Sequence, residues 1–384
     1  MNGQYKISGV AHGGYGVCKM DGQTCFVPYA LPDDVITLDV VRKSRGVLWG
    51  EIREVLEPSP YRADPPCTVF GKCGGCEWLH FAYPAQSEWK RRIVLDCLRR
   101  IGGIETDCEW IDDTTLRTGY RTRARFHNVA DRWGFFARRS RDVVDIETCP
   151  LCHPKMNEAF AKLRPITVGK PVEITVNPDG NDILVWTKHR HKVLDKTFRS
   201  VATRDTRIER RPMFLFDGIP VVTGAFSQSS LLLQRVLRSV VTQMVGDSRS
   251  ILDLYCGSGA MSLGFANTAR VLGMDHNRSA IAAAAELGTG EYRVADEHEF
   301  GRAVRVGGWD AVLLDPPRSG AKSVAGNLAD CDAGAIVYVS CNPATLARDL
   351  RVIVNAGWRL DRTVAVDMFP QTSHIETVCK LTRR

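Results

Sequence analysis

The stretch that decides the fold is Ala335-Ile336-Val337-Tyr338-Val339-Ser340-Cys341-Asn342-Pro343. An apolar run of this length that ends in turn residues predicts a buried strand. Such a strand delivers Cys341 to its carboxyl end, where open α/β sheets bind their ligands. Asp315-Pro316-Pro317-Arg318 follows another apolar run, and Tyr255-Cys256-Gly257-Ser258-Gly259 follows a third. The sequence therefore predicts three strand ends at one sheet edge, with room for a cofactor, a carboxylate and a nucleophile.

Residues 216–384 continue this pattern of alternating strands and helices. Strands are predicted at 250–255, 270–275, 291–295, 309–314, 335–340, 358–367 and 376–382. Helices are predicted at 227–245, 259–267, 278–287, 321–330 and 344–356. Regular alternation predicts a doubly wound, mostly parallel sheet of the Rossmann-like kind.

Two further domains are predicted before this one. Residues 1–58 contain several short strands with glycine turns, which indicates a small β-barrel. Residues 59–215 form a middle domain of mixed α+β character, with a helix predicted from Glu88 to Ile101 that Gly102-Gly103 ends. The topology of residues 155–215 is not assigned by the pattern.

Composition sets the cellular context. The chain has 384 residues and a net charge of +7, and it has no run of 18 apolar residues, so no membrane contact is expected. Its N-terminus lacks a charged-then-apolar signal pattern. The odd number of cysteines, 13, argues against a disulfide framework. We expect a cytoplasmic, monomeric protein in which clustered cysteines serve a metal or catalysis.

The positive charge is concentrated before the C-terminal domain. From Arg117 to Arg141 there are eight arginines and one acidic residue, with aromatic side chains interleaved. Arginine with stacking side chains is typical of proteins that bind single-stranded or looped RNA. Arg121, Arg123 and Arg125 are the candidate RNA contacts; the alternative is a solvated basic face.

A cofactor site is predicted at the glycine turn after the first C-terminal strand. Gly257 and Gly259 allow a ligand to approach the backbone closely, at the start of the predicted helix 259–267. The turn lacks the third spaced glycine of the dinucleotide fingerprint and the Gly-Lys-Ser/Thr of a phosphate loop. Asp275 ends the next strand, where an acid can bind ribose hydroxyls. This combination predicts S-adenosyl-L-methionine, with a plain strand–helix turn as the alternative.

Three cysteines with C-x5-C-x2-C spacing, Cys67, Cys73 and Cys76, lie among glycines in the middle domain. A cluster needs a fourth ligand, for which Cys149 is the first candidate and Cys152 its rival. The prediction is a [4Fe–4S] cluster; four thiolates would also suit zinc, and an unligated loop is a further alternative.

The C-terminal motifs also suit one particular chemistry. Carbon 5 of a pyrimidine is a poor nucleophile until a thiolate adds to carbon 6. A base must then remove the proton from carbon 5. Cys341, Asp315 and Glu376 provide a thiol and two carboxylates for such a reaction.

At these residues the chain resembles the RNA uracil-C5 methyltransferase family, which makes 5-methyluridine. The matching motifs are D-L-Y-C-G-S-G (253–259), L-L-D-P-P-R-S-G (313–320), S-C-N-P-A-T-L-A-R-D-L (340–350) and F-P-Q-T-S-H-I-E-T-V (369–378). The resemblance implies a class I methyltransferase fold in which Cys341 is the nucleophile, Glu376 the base and Asp315 the residue that orients uracil. It also implies a set of contacts to S-adenosyl-L-methionine: Gln228, Tyr255, Gly257, Asp275, Asp296 and Asp315.

The rest of the chain resembles one branch of this family. An iron–sulfur branch has a distal Cys-Pro ligand, which supports Cys149 in Thr148-Cys149-Pro150. His12-Gly13-Gly14-Tyr15-Gly16-Val17 resembles the opening of a TRAM domain, a small RNA-binding β-barrel. The combination implies 23S ribosomal RNA as substrate, with transfer RNA as the alternative.

Two other functions remain open at this point. One is methylation of cytosine carbon 5 or of DNA, and the other is a non-catalytic RNA-binding or ribosome-assembly factor.

Overall fold

A computed structural model of the chain describes residues 3–287 and 290–383. The strands in these ranges are β1 (Tyr5–Lys6), β2 (Gly9–Ala11), β3 (Tyr15–Met20), β4 (Gln23–Pro28), β5 (Val35–Ser44), β6 (Val47–Glu57), β7 (Glu109–Ile111), β8 (Arg123–Val129), β9 (Arg132–Phe136), β10 (Val143–Asp145), β11 (Val172–Val176), β12 (Ile183–Thr187), β13 (Ser200–Thr203), β14 (Met213–Phe216), β15 (Ile219–Val222), β16 (Ser250–Leu254), β17 (Arg270–Asp275), β18 (Glu291–Val294), β19 (Ala311–Leu314), β20 (Ala335–Ser340), β21 (Trp358–Val366) and β22 (Glu376–Arg383). The α-helices are α1 (Tyr83–Cys97), α2 (Pro154–Leu163), α3 (Lys192–Thr197), α4 (Leu231–Val245), α5 (Arg278–Glu286), α6 (Glu297–Val306), α7 (Ala325–Asp330) and α8 (Pro343–Asn355).

The first six strands form one sheet in the order β1-β5-β6-β4-β3-β2. In β3 and β4 buried side chains alternate with less buried ones, as expected for a sheet with one face on a core. Cys18, Met20, Cys25 and Val27 contribute to that core. The sequence correctly predicted several strands in this region, and a closed barrel stays a prediction because β1 and β2 are the two edges of the sheet.

The middle of the chain contains a second six-stranded sheet, in the order β10-β9-β8-β11-β12-β13. Its strands pair antiparallel except for β12 and β13. Helix α2 packs on it through Phe160, whose ring lies 4.1 Å from that of Phe126 between centroids. The hairpin β14-β15 follows.

The C-terminal sheet has eight strands in the order β18-β17-β16-β19-β20-β22-β21-β7. The first five are parallel, and β22 lies antiparallel between β20 and β21. The chain runs outward from β16 through β17 to β18 and then returns to β19 on the other side. This reversal is the topological switch point, where ligands bind at the carboxyl ends of strands.

Both faces of this sheet are buried, which is why its strands read as continuous apolar runs. Leu252 and Leu254 of β16 join a core with α1, α6, α7 and α8. Ile251 points to the opposite core, which α4 and α5 cover. The predicted doubly wound architecture is therefore confirmed.

One predicted helix of the C-terminal domain was wrong, and one of its helices was not predicted. No α-helix covers residues 259–267; turns and one 3₁₀ turn, Leu263–Phe265, lie there, so the cofactor loop has no helix N-terminus behind it. Helix α6 was not predicted, although it begins with a capping box of Asp296 and Glu299.

The division at 59–215 stays a prediction, and part of this range packs with the C-terminal domain. Strand β7 pairs with β21, and α1 packs against the C-terminal sheet.

None of the helices in the described ranges combines the length and the apolar character needed to cross a bilayer.

Candidate active site

A cavity of about 730 Å³ lies at the switch point, at the carboxyl ends of β16, β19 and β20. Seven of the predicted catalytic and cofactor residues line it, namely Cys341, Asp315, Glu376, Gln228, Tyr255, Gly257 and Asp275, and so do the candidate RNA contacts Arg123 and Arg125. The structure therefore brings together residues that lie up to 148 positions apart in the chain, from Gln228 to Glu376.

Cys341 follows the last residue of β20 and precedes α8. Asn342 caps α8, since its Oδ1 accepts hydrogen bonds from the backbone N–H of Ala344 (3.1 Å) and Thr345 (3.4 Å). Its Nδ2 donates to the carbonyl of Arg318 (3.1 Å), in the loop that follows Asp315. One side chain therefore fixes the turn of Cys341 relative to the loop of Asp315.

Glu376 reaches the same place from the antiparallel strand β22. Ser340 of β20 is paired with Thr377, so the residues that follow and precede them, Cys341 and Glu376, are neighbours at the sheet edge. The register of β22 therefore sets the general position of the second carboxylate.

Burial dominates the electrostatics of the three reactive groups. Glu376 is 2% exposed, and burial, reinforced by the charge of Asp315, raises its pKa well above the ordinary value. Burial also raises the pKa of Cys341 to about 12, with Glu376 and Asp315 acting in the same direction. The pKa of Asp315 is raised to about 7, again mainly by burial. The cavity without substrate therefore favours a neutral thiol and a neutral Glu376 at pH 7.

Arg318 is the positive charge that opposes these shifts. It lines the cavity, and its charge lowers the pKa of both Cys341 and Glu376. Its Nη2 lies 3.3 Å from Nε2 of His374. Arg318 lies in the motif at 313–320, and no role for it was predicted from the sequence.

The cofactor side of the cavity is a strained loop supported by Asp275. Its Oδ2 accepts a hydrogen bond from the N–H of Gly257 (3.0 Å), and its Oδ1 accepts one from that of Asn277 (2.7 Å). Tyr255 and Gly257 have φ of +60° and +56°, which glycine adopts freely and tyrosine does not. The Tyr255 hydroxyl donates to Oε1 of Glu297 (3.1 Å).

Asp253 is a further carboxyl of the cavity, and no role for it was predicted from the sequence. It is 1% exposed, and neither of its oxygens has a hydrogen-bond partner among the described residues. Burial raises its pKa to about 8. A periodic pattern could not reveal it, because an acid within an apolar strand looks like an interruption of the strand.

Asp296 does not line the cavity. Its side chain is exposed and accepts a hydrogen bond from the N–H of Glu299 (2.9 Å), which caps α6. The structure therefore gives Asp296 a role in the helix rather than at the cofactor.

The three candidate RNA arginines have different environments. Arg125 is 54% exposed at its side chain and pairs with Glu173 (3.1 Å). Arg123 also pairs with Glu173 (2.8 Å), donates to the carbonyl of Ser227 (2.7 Å) and lies over the exposed ring of Phe226. An acidic partner from β11, remote in sequence, thus lies beside a stretch in which the sequence itself has one acidic residue.

Arg121 points the other way, toward the cysteines. Its Nε is buried, with no hydrogen-bond partner in the described ranges, and its backbone bridges to Cys152. This position does not favour Arg121 as a phosphate contact, because its guanidinium lies among buried thiols, whereas the side chain of Arg125 in β8 is half exposed.

The cysteines Cys67, Cys73, Cys76, Cys149 and Cys152 converge beside Arg121. Burial raises the pKa of Cys76, and charge on Cys149, Cys73 and Cys67 would raise it further. The neighbouring thiol of Cys152 lowers the pKa of Cys149 below its ordinary value. The structure therefore brings the predicted ligand and its rival to one place.

This convergence is not a metal centre as it stands. Within residues 3–287 and 290–383, no group of three or more His, Cys, Asp or Glu side chains is arranged to hold a metal ion.

Comparisons with known proteins agree with the cavity. A family model described as tRNA (Uracil-5-)-methyltransferase matches residues 300–384. A 23S rRNA (uracil(1939)-C(5))-methyltransferase of Methylococcus capsulatus is 30% identical over 433 aligned residues, covering 98% of this chain and 96% of the relative. The chain belongs to the RNA uracil-C5 methyltransferase family. A second 23S rRNA (uracil(1939)-C(5))-methyltransferase, from Chromohalobacter salexigens, is also 30% identical over 98% of this chain and 88% of the relative.

A solved structure has the same overall architecture. The Pyrococcus abyssi tRNA (uracil-54, C5)-methyltransferase, in complex with S-adenosyl-L-homocysteine, superimposes with a TM-score of 0.77 at 26% identity and covers 100% of both chains. The resemblance to RNA uracil-C5 methyltransferases and the class I methyltransferase fold are thereby confirmed.

Proposed function

We propose that the protein transfers a methyl group from S-adenosyl-L-methionine to carbon 5 of a specific uridine in RNA, through a covalent bond between Cys341 and carbon 6. The observation that carries this proposal is the convergence of Cys341, Asp315 and Glu376 in one cavity with the glycine turn and Asp275. The relative from Pyrococcus abyssi, which binds the demethylated product of that cofactor, supports the choice of methyl donor.

The chain's own residues account for the reaction. The thiolate of Cys341 adds to carbon 6, which makes carbon 5 nucleophilic toward the electrophilic methyl group that S-adenosyl-L-methionine supplies. Glu376 then removes the proton from carbon 5, the bond between carbon 6 and sulfur breaks, and the thiolate is restored. Overall, uridine and S-adenosyl-L-methionine give 5-methyluridine, S-adenosyl-L-homocysteine and one proton.

Residues that border the cavity suit the remaining roles. Gln228, Tyr255, Gly257 and Asp275 would hold the methyl donor, and Asp315 would hydrogen-bond the uracil edge. Because burial raises the pKa of Cys341 and of Glu376, both must lose a proton before they act. The nearby guanidinium of Arg318 favours those charged forms.

We favour 23S ribosomal RNA as the substrate, because both of the 30% identical relatives described above are named as methyltransferases of 23S ribosomal RNA. Transfer RNA is the second candidate, supported by the relative from Pyrococcus abyssi. A cytoplasmic monomer stays a prediction, as does the TRAM character of the N-terminal sheet.

The substrate and the RNA-binding surface can be tested together. We expect labelled methyl groups to enter a 23S ribosomal RNA fragment faster than transfer RNA. We expect Arg125→Ala to weaken RNA binding and to reduce the slope of log K against log salt by about 1, because one phosphate contact is lost. The measurement is filter binding at several salt concentrations, with Arg235→Ala as control, an exposed arginine paired with Asp217. Preference for transfer RNA would contradict the first expectation, and an unchanged slope the second.

We also propose that Cys67, Cys73, Cys76 and Cys149 hold a [4Fe–4S] cluster. Support comes from their convergence and from the buried, unpartnered Nε of Arg121, a positive charge beside the thiols. Among the described residues these thiols are not arranged around one metal ion. The proposal of a cluster therefore rests on the kind and number of the candidate ligands, which are four thiolates. Its role would be to stabilise this segment or to position RNA, since the methylation needs no electron transfer.

Anaerobic purification tests the cluster. We expect a brown protein with about four irons per chain, and loss of the colour in Cys149→Ser. Cys97→Ser is the matched control, since Cys97 is a buried cysteine that belongs to a different hydrophobic cluster from Cys67, Cys76 and Cys149. Stoichiometric zinc without iron, or full colour in Cys149→Ser, would contradict the proposal.

A further inference from the structure

The segment before Glu376, residues 367–375, connects β21 to β22 and is held by polar side chains of α1. Phe369 of this segment and Glu376 at its end both line the cavity. The position of the segment therefore affects the position of the carboxylate of Glu376.

The first contact is a fully buried ion pair. Nζ of Lys90 lies 2.7 Å from Oδ1 of Asp367, and both side chains are 0% exposed. Lys90 also donates to the carbonyl of Phe369 (3.0 Å). Oδ2 of Asp367 accepts a hydrogen bond from the hydroxyl of Tyr83 (2.8 Å), another residue of α1. A buried ion pair stabilises little unless its geometry is specific, so it is better suited to setting a position than to adding stability.

The second contact is a reciprocal amide pair. Gln86 donates from Nε2 to Oε1 of Gln371 (2.8 Å) and accepts from the backbone N–H of Gln371 at its Oε1 (3.0 Å). Gln371 has φ of +67°, a conformation that costs a non-glycine residue free energy. Gln86 is buried and makes both of these hydrogen bonds. It therefore helps to hold the segment in a conformation that the segment would not adopt alone.

The same segment also contacts the cysteine-bearing part of the chain. The hydroxyl of Tyr120 donates to the carbonyl of Pro370 (2.9 Å), and the backbone N–H of Trp78 donates to the carbonyl of Gln371 (3.1 Å). The segment is thus held from two sides, with α1 supplying the side-chain contacts.

We propose that Lys90 and Gln86 are positioning residues that hold the carboxylate of Glu376 against carbon 5 of the substrate. The inference rests on the proposed role of Glu376 as the base. Only the step that uses Glu376, removal of the carbon 5 proton and release of Cys341, should depend strongly on these residues. Addition of Cys341 to carbon 6 should depend on them less, because Cys341 is held by β20 and by the cap of α8.

A purely structural role makes a different prediction. If Lys90 and Gln86 only stabilised the fold, their loss would lower the fraction of active enzyme, and all steps would fall in proportion. The ratio between trapped covalent complex and completed turnover separates the two roles.

The experiment uses the full-length protein and RNA carrying tritium at carbon 5 of uridine. Release of tritium to water measures the step of Glu376, and gel analysis after denaturation measures the covalent complex. In Gln86→Leu, and in the double variant Lys90→Met with Asp367→Leu, we expect tritium release to fall about 10- to 100-fold while the complex accumulates, because small misplacements of reacting groups cost rates of this order. The double variant removes both charges, which avoids leaving one buried without a partner.

Glu88→Gln is the matched control in the same helix. Glu88 forms exposed ion pairs with Arg91 and Arg92 and does not contact the segment, so the ratio should stay at its wild-type value. If Gln86→Leu or the double variant folds and keeps the wild-type ratio of complex to tritium release, the inference is overturned and the proposed function stays intact. A wild-type protein that releases no tritium would instead overturn the proposed function, and the inference with it.

Discussion

Glu376→Gln is expected to accumulate a covalent protein–RNA complex that survives denaturation. Cys341 can still add to carbon 6, but without a carboxylate the proton on carbon 5 stays and the thiol cannot leave. Turnover should fall about 100- to 10,000-fold, the range found when a general base is removed. The variant should fold, because burial already favours the neutral form of Glu376, which glutamine imitates in shape.

Gel electrophoresis of labelled RNA measures this result. Cys341→Ala is the control, since it lacks the thiol and should give no complex. Normal turnover by Glu376→Gln would show that another group removes the proton. A complex of equal amount in Cys341→Ala would assign the nucleophile elsewhere.

The second large effect is expected at the cofactor loop, in Asp275→Ala. This change removes the acceptor for the N–H groups of Gly257 and Asn277 and the carboxylate proposed to bind the ribose. Hydrogen bonds to charged groups contribute about 1.5–3 kcal/mol, so the Kd for S-adenosyl-L-homocysteine should rise about 10- to 100-fold. Isothermal titration calorimetry measures it.

Asp296→Ala provides the comparison within the same fold. Asp296 caps α6 outside the cavity, so its loss should cost about 1 kcal/mol of stability and leave the Kd unchanged. Weakened binding in Asp296→Ala, or unchanged binding in Asp275→Ala, would contradict the placement of the cofactor.

The sequence was sufficient for the features that depend on local pattern and on the rules of α/β sheets. Buried runs predicted β16, β17, β19 and β20, and the rule that ligands bind at strand ends placed Cys341, Asp315 and Tyr255 together. Glu376 came from a motif, and its place follows from the antiparallel register of β22.

What the sequence could not show are contacts between distant parts of the chain. Lys90 and Asp367 pair across 277 positions, and Lys90 reads as a surface residue of an amphipathic helix until the segment after β21 covers it. Glu173 pairs with Arg123 across 50 positions. The helix predicted at 259–267 does not form for a local reason. Gly259 has a left-handed backbone conformation, and the residues after it form turns and one 3₁₀ turn.

The most direct test of the central claim is the position of the methyl group and its dependence on Cys341. Wild-type protein and Cys341→Ala are incubated with RNA and methyl-labelled S-adenosyl-L-methionine, and the digested nucleosides are analysed by mass spectrometry. The proposal predicts 5-methyluridine from the wild-type protein and no methylated nucleoside from Cys341→Ala. Methylation of cytidine, of a ribose, or of uridine by Cys341→Ala would contradict it.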